Sequence, residues 1–153
     1  MTSCATVPIT ERKQLTLYPE SVINRQAARA YEKFKSKAKL IKSGSDLNNI
    51  IYVGERIQKA VNNFFLKKNL TDPTKNFSWE YILVDNKKVK NAWCMPGGKI
   101  AVFTGMLKIS KDNDGLATIL GHEIAHAVAK HSVERQSQAM AVNVTAQVAD
   151  IFL

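Results

Sequence analysis

The chain has 153 residues, 45% of them hydrophobic and 23% charged, the balance of an ordinary globular domain with a core of its own. That excludes wholesale disorder, a collagen-like repeat and a disulfide-stapled miniprotein, and no run of about 18 apolar residues is present to cross a membrane as a helix. Lys and Arg number 22 against 13 Asp and Glu, and the net charge of +9 favours anionic neighbours such as nucleic acid or lipid.

Residues 1–18 lack clear periodicity and read as an extended arm, with 19–153 as the domain proper. The two cysteines, Cys4 and Cys94, make no disulfide framework. Cys94 stands in an apolar stretch and reads as a small buried hydrophobe. Met1-Thr2-Ser3-Cys4 resembles the end of a bacterial lipoprotein signal, without the apolar stretch that should precede it. Either the true start lies upstream or the pattern is chance.

Pro19-Glu20-Ser21 opens a helical pattern in which Ile23, Ala27, Ala30, Tyr31, Phe34, Ala38 and Ile41 recur every three or four residues, and Gly44 stops it. Ser45 and Asp46 can cap a second helix with the stripe Leu47, Ile50, Ile51, Ile57, Val61, Phe64 and Phe65. Asp72 to Asn76 form a loop. Phe77 to Val84, Ala92 to Met95 and Lys99 to Thr104 read as three strands, the last two joined by the Pro96-Gly97-Gly98 turn. Asp112-Asn113-Asp114 can cap a helix running from about Gly115 to about Lys130, apolar nearly all round and therefore buried. A further helical pattern opens near Ser132 and is still running, without a cap, at Leu153, so the C-terminus reads as cut. The expected class is α+β: helices packed around a small, mostly antiparallel three-stranded sheet.

The apolar helix carries His122-Glu123-Ile124-Ala125-His126, an H-E-x-x-H motif. Residues four apart share a helix face, so the two imidazoles can bind one Zn²⁺. Glu123 follows the first ligand and borders the ion without binding it. It can take a proton from zinc-bound water and pass it to a leaving amine. A hydrogen-bonded His-Glu-His cluster is the plain alternative. His131 is nine residues beyond His122, about half a turn round at roughly 100° per residue, and is expected to face away from the ion, as a partly exposed histidine or one that backs a ligand without touching the ion. Glu134 would stand about 18 Å along a continuous helix from His122, too far to join it. Asp85, Asp112 and Asp114 could fold back, but nothing selects one, so the third ligand is missing or hidden.

Gly121 to His126, followed by Lys130-His131-Ser132-Val133-Glu134-Arg135, resembles the gluzincin peptidases of the HtpX and CAAX-prenyl-protease type. Asn91 to Ile100 with Thr104-Gly105-Met106-Leu107 resembles that family's strand-turn-strand, and Tyr52-Val53-Gly54-Glu55-Arg56-Ile57 fits its second helix. Thr10 to Leu15 is similar, more loosely, to the mature start of its periplasmic lipoprotein branch. The resemblance implies a zinc metalloendopeptidase acting on proteins or peptides, with His122 and His126 as ligands and Glu123 as general base. It also implies a periplasm-facing, membrane-associated location through a lipid on Cys4, and a role in envelope quality control. The Pro96-Gly97-Gly98 hairpin would border the cleft, and its strand Lys99 to Phe103 could pair with an extended substrate. The family's third ligand, a glutamate on a later helix, has no counterpart here, so a second chain or a C-terminal half would have to supply it.

Two other classes compete. A peptidase fold without activity could serve as a protein-binding module. The lysines from Lys33 to Lys42 could bind nucleic acid, but no aromatic residues or recognised motif accompany them, and the reading without nucleic acid is preferred.

Overall fold

A computed structural model describes residues 19–131 and 134–135, together with the backbone of 3–6 and 13–16. Within the first 18 residues, β1 (Ser3–Thr6) and β2 (Lys13–Thr16) pair antiparallel, with Cys4 opposite Leu15. Then follow α1 (Glu20–Lys37), β3 (Leu40–Ile41), α2 (Ser45–Lys67), β4 (Glu80–Val84), β5 (Ala92–Met95), β6 (Lys99–Phe103), α3 (Thr104–Ser110) and α4 (Asn113–Val128).

The class is α+β, as expected, but the sheet has four strands in the order β3-β4-β6-β5. The extra strand comes from Leu40 and Ile41, which the helical periodicity would have kept in α1. Instead α1 ends at Lys37, and Leu40 and Ile41 pair antiparallel with Val84 and Leu83. The sheet is mixed, because β4 and β6 run parallel while β5 and β6 form the expected hairpin. Gly97 and Gly98 take φ of 86° and 82° in its turn, a conformation glycine adopts without strain.

Side chains alternate across this sheet. Ile82, Val84, Trp93, Met95, Ala101 and Phe103 face Ile23, Ala27 and Tyr31 of α1. Leu83, Ala92, Ile100 and Val102 face α2 and α4, meeting Ile50, Val53 and Phe65 of the one and Leu116, Leu120, Ile124 and Val128 of the other. The result is three layers: α1, the sheet, then α2 beside α4. Asn49 near the start of α2 bonds Asn113 at the start of α4 at 2.6 Å, so the two helices run side by side in the same direction.

α2 begins one residue earlier than its expected caps. Gly44 holds the capping position, no side chain caps it, and Ser45 and Asp46 lie in the first turn. The cap of α4 is made as expected: Asp112 accepts a bond from the Gly115 N–H at 2.9 Å. Of the helical pattern beyond Ser132 only Glu134 and Arg135 are described, both helical, and the rest, with its missing C-cap, lies outside the described residues.

Candidate metal site on α4

α4 is an amphipathic helix of an unusual kind. Leu116, Leu120, Ile124 and Val128 form a stripe that is 0–5% exposed. Thr118, His122 and Ala125 are exposed. Small alanines and Gly121 make the helix look apolar all round in sequence, but the stripe and Ala127 are its buried residues, with Ala117 and Ile119 packed partly buried beside them. His122 and His126 stand on the flank of that stripe, one turn apart. Their Nε2 atoms approach to 3.0 Å and the rings meet edge to face.

That geometry fits a metal ion. Two nitrogens each about 2.0–2.1 Å from one tetrahedral ion stand about 3.3–3.4 Å apart, a few tenths of an ångström from the observed separation. Two lone pairs held this close repel unless something positive stands between them, either a shared proton or an ion.

Glu123 occupies the flank nearest the sheet. α4 lies against β5, and the Glu123 charge reaches Cys94 on that strand. Burial pushes the Glu123 carboxyl above its usual range, and the nearby His122 and His126 partly offset this. A raised carboxyl pKa suits a group that must accept a proton in one step and give it up in the next. Cys94 packs against the core but is half-buried rather than fully buried as expected; the burial of its thiol pushes the pKa far up, and the Glu123 charge adds to the effect.

His131 does not face away. Its Nδ1 lies 2.6 Å from Nδ1 of His126, and the rings are 4.9 Å apart. The expected direction fails because it carried one helical angle from His122 through to residue 131, while the partly exposed position expected of this ring is found. α4 stops at Val128, Lys130 takes a left-handed φ of 56°, and the chain turns back. A sign of this was present in the sequence: a new helix opening near Ser132 requires a break before it. The same turn removes the 18 Å argument about Glu134, which is 8% exposed and whose N–H donates to the Lys130 carbonyl at 3.1 Å.

Two of the three upstream acids are engaged elsewhere, and the third stands far from the pair. Asp85 holds Lys39 at 2.6 Å. Asp112 caps α4, and Asp114 lies in its first turn, about two turns before His122. Among the described residues no group of three His, Cys, Asp or Glu side chains is arranged to hold an ion.

The expected substrate strand also needs correcting. Both edges of β6 are in use, by β4 on one side and β5 on the other. The edge beside α4 therefore belongs to β5. The Pro-Gly-Gly turn does border the site, since Pro96 lines a depression with Glu20, Asn24, Phe77, His126, Ala127 and Lys130. Sequence reasoning missed the ion pair closing that depression, Lys130 Nζ to Glu20 at 2.7 Å. Its partners are 110 residues apart, and no local signal joins them.

The family model of peptidase family M48 matches residues 52–153, which include most of α2, the β4–β6 strands and all of α4. The chain belongs to peptidase family M48. Within that family it is 48% identical over 64 residues to the mitochondrial metalloendopeptidase OMA1 of Arabidopsis thaliana, covering 42% of this chain and 13% of that protein. It is 43% identical over 68 residues to the OMA1 metalloendopeptidase of Schizosaccharomyces pombe, covering 44% and 20%. It is 33% identical over 52 residues to the metalloprotease YcaL of Escherichia coli, covering 34% and 20%. The matches thus span a fifth or less of these relatives. No helix among the described residues of this M48 chain is long and apolar enough to cross a membrane.

Proposed function

We propose that this M48 chain carries the catalytic helix of a zinc-dependent metalloendopeptidase. The observation that carries the reading is the convergence of the His122 and His126 Nε2 atoms at 3.0 Å, with Glu123 on the adjoining flank of the same helix. A zinc ion held there supplies Lewis acidity to a peptide carbonyl and to the attacking water. Glu123 receives the proton of that water on its carboxylate and returns it to the departing amine. β5, the sheet edge beside α4 among the described residues, offers its outer backbone groups for an extended peptide to pair with. A hydrolytic zinc site needs a third protein ligand, and we assign it to a donor outside the described residues, in the same polypeptide or a second chain.

The finer placement is proposed on sequence grounds. The strand-turn-strand and H-E-x-x-H segments support the HtpX and CAAX-prenyl-protease type. Met1 to Cys4 and the +9 charge support a lipid-anchored protein at the periplasmic face of a bacterial membrane, acting on protein substrates in envelope quality control. One observation favours a second reading, a non-catalytic protein-binding module: the described residues do not close a three-ligand site.

Hydrolysis of an unstructured polypeptide such as casein separates the two. The peptidase reading expects zinc-dependent cleavage that falls about 10²- to 10⁴-fold in Glu123→Gln. Cleavage indifferent to that substitution, or client binding without cleavage in the zinc-loaded protein, would overturn it.

A further inference from the structure

We infer that His131 is a positioning residue for His126: its Nδ1 accepts the hydrogen bond that keeps the His126 Nε2 lone pair turned toward His122. The inference rests on the metal reading above and adds a residue to it.

His122, His126 and His131 form a row with two short gaps, Nε2 to Nε2 at 3.0 Å and Nδ1 to Nδ1 at 2.6 Å. A neutral imidazole has one N–H and one lone pair, so each gap holds one proton and the row can run in two directions. In the first, His122 donates from Nε2, His126 donates from Nδ1 and His131 accepts. In the second, His131 donates from Nδ1 and His126 donates from Nε2. A metal ion taken up through both Nε2 atoms requires the proton of His126 on Nδ1. It then requires a lone pair on His131 Nδ1, because two N–H groups cannot face each other at that distance. The first arrangement meets both requirements before any ion arrives, and only His122 has to move its proton from Nε2 to Nδ1. The second would require all the protons of His126 and His131 to be rearranged.

The position of His131 is built into the fold. Lys130 bonds back to the Ala127 carbonyl at 3.1 Å and adopts its left-handed φ without being glycine. Such a backbone persists only where its surroundings hold it. The Lys130–Glu20 ion pair at 2.7 Å ties the turn to the first residue of α1. A ligand histidine ordinarily gives its second N–H to a carboxylate, carbonyl or water. Here the acceptor is another imidazole, placed by this turn.

Two measurements on the 153-residue protein test the assignment. Nitrogen-15 NMR of the metal-free protein near pH 8 reads each ring's tautomer directly. The expected pattern is Nδ1–H for His126 and Nε2–H for His131; Nε2–H on His126 would overturn the inference. Zinc affinity, by competition with a chromophoric chelator, is then compared among wild type, His131→Phe and His131→Asn. Phenylalanine keeps the ring contact without an acceptor and should weaken binding about 10- to 100-fold. Asparagine offers an oxygen near the lost Nδ1 and should recover most of it. Wild-type affinity in His131→Phe would overturn the inference. Should wild type take up no zinc, the metal reading fails, and the tautomer pattern alone decides the role of His131.

Discussion

Replacing Gly105 by alanine should destabilise the protein, although alanine is the better helix former. Gly105 is the second residue of α3. A Cβ there would stand 2.3 Å from the Val89 carbonyl oxygen and 2.7 Å from that of Lys87, where ordinary contact begins near 3.4 Å. The obstacles are backbone atoms in the β4–β5 loop. That loop is held in turn by the Asn86 side chain, which accepts from the N–H groups of Lys88 and Val89 at 3.1 and 3.3 Å. About 1 Å of movement has to be found. Overpacking of this kind costs about 1–3 kcal/mol. Weakening the Gly105 N–H bond to the Asn86 carbonyl, now 3.2 Å, costs about 0.5–1.5 kcal/mol more. Helix propensity returns at most about 1 kcal/mol. The net loss is about 1–3 kcal/mol, a fall of roughly 3–10 °C in Tm for a chain of this size. Gly121→Ala is the control, since nothing lies within 4 Å of a Cβ built at that mid-helix position. It should gain up to about 1 kcal/mol and melt about 2–4 °C higher. Thermal unfolding followed by circular dichroism measures both. A Gly105→Ala protein at or above wild-type Tm would refute the close approach of α3 to the loop.

Removing the α4 cap, Asp112→Ala, should cost about 1 kcal/mol in urea unfolding, and Asp112→Asn much less, because either oxygen can accept from Gly115. Equal losses in the two variants would show that charge rather than the bond matters. Glu80 is partly buried, which alone would raise its carboxyl pKa. Its bonds to Lys35 at 2.6 Å and Lys99 at 3.3 Å outweigh burial and hold it below the usual range. A depressed folded pKa stabilises above the unfolded value of about 4.3 and is lost as pH falls through the folded one. Glu80→Gln should therefore be less stable than wild type by about 1 kcal/mol at pH 7, with the gap closing below pH 4. A gap that persists at pH 3 would contradict the ion-pair account.

What could be read from the sequence follows from the range of the interactions involved. The α4 cap, the hairpin turn and the H-E-x-x-H spacing depend on residues within a few positions of each other, and each is found where local chemistry puts it. Aromatic and branched residues bounded by turn signals marked β4, β5 and β6 but carried no information on which edges would be paired. Placing β6 inside the sheet, and giving the edge beside α4 to β5, follows from the parallel pairing of Glu80–Val84 with Lys99–Phe103. Leu40 and Ile41 were lost to helical periodicity because two residues are too few to show a period of two. Tertiary pairing with Leu83 and Val84 overrides the local preference there. His131 was misplaced for a different reason. The helix ends without glycine, at a lysine whose left-handed turn is held by Glu20, at the other end of the domain.

The central claim is that His122 and His126 together take one metal ion, and zinc titration followed by histidine ring NMR tests it most directly. In wild type, one equivalent of zinc should shift the His122 and His126 signals together, and His126→Ala should abolish the response at His122. Zinc uptake that leaves both rings unperturbed, or that is unchanged in His126→Ala, would contradict the account.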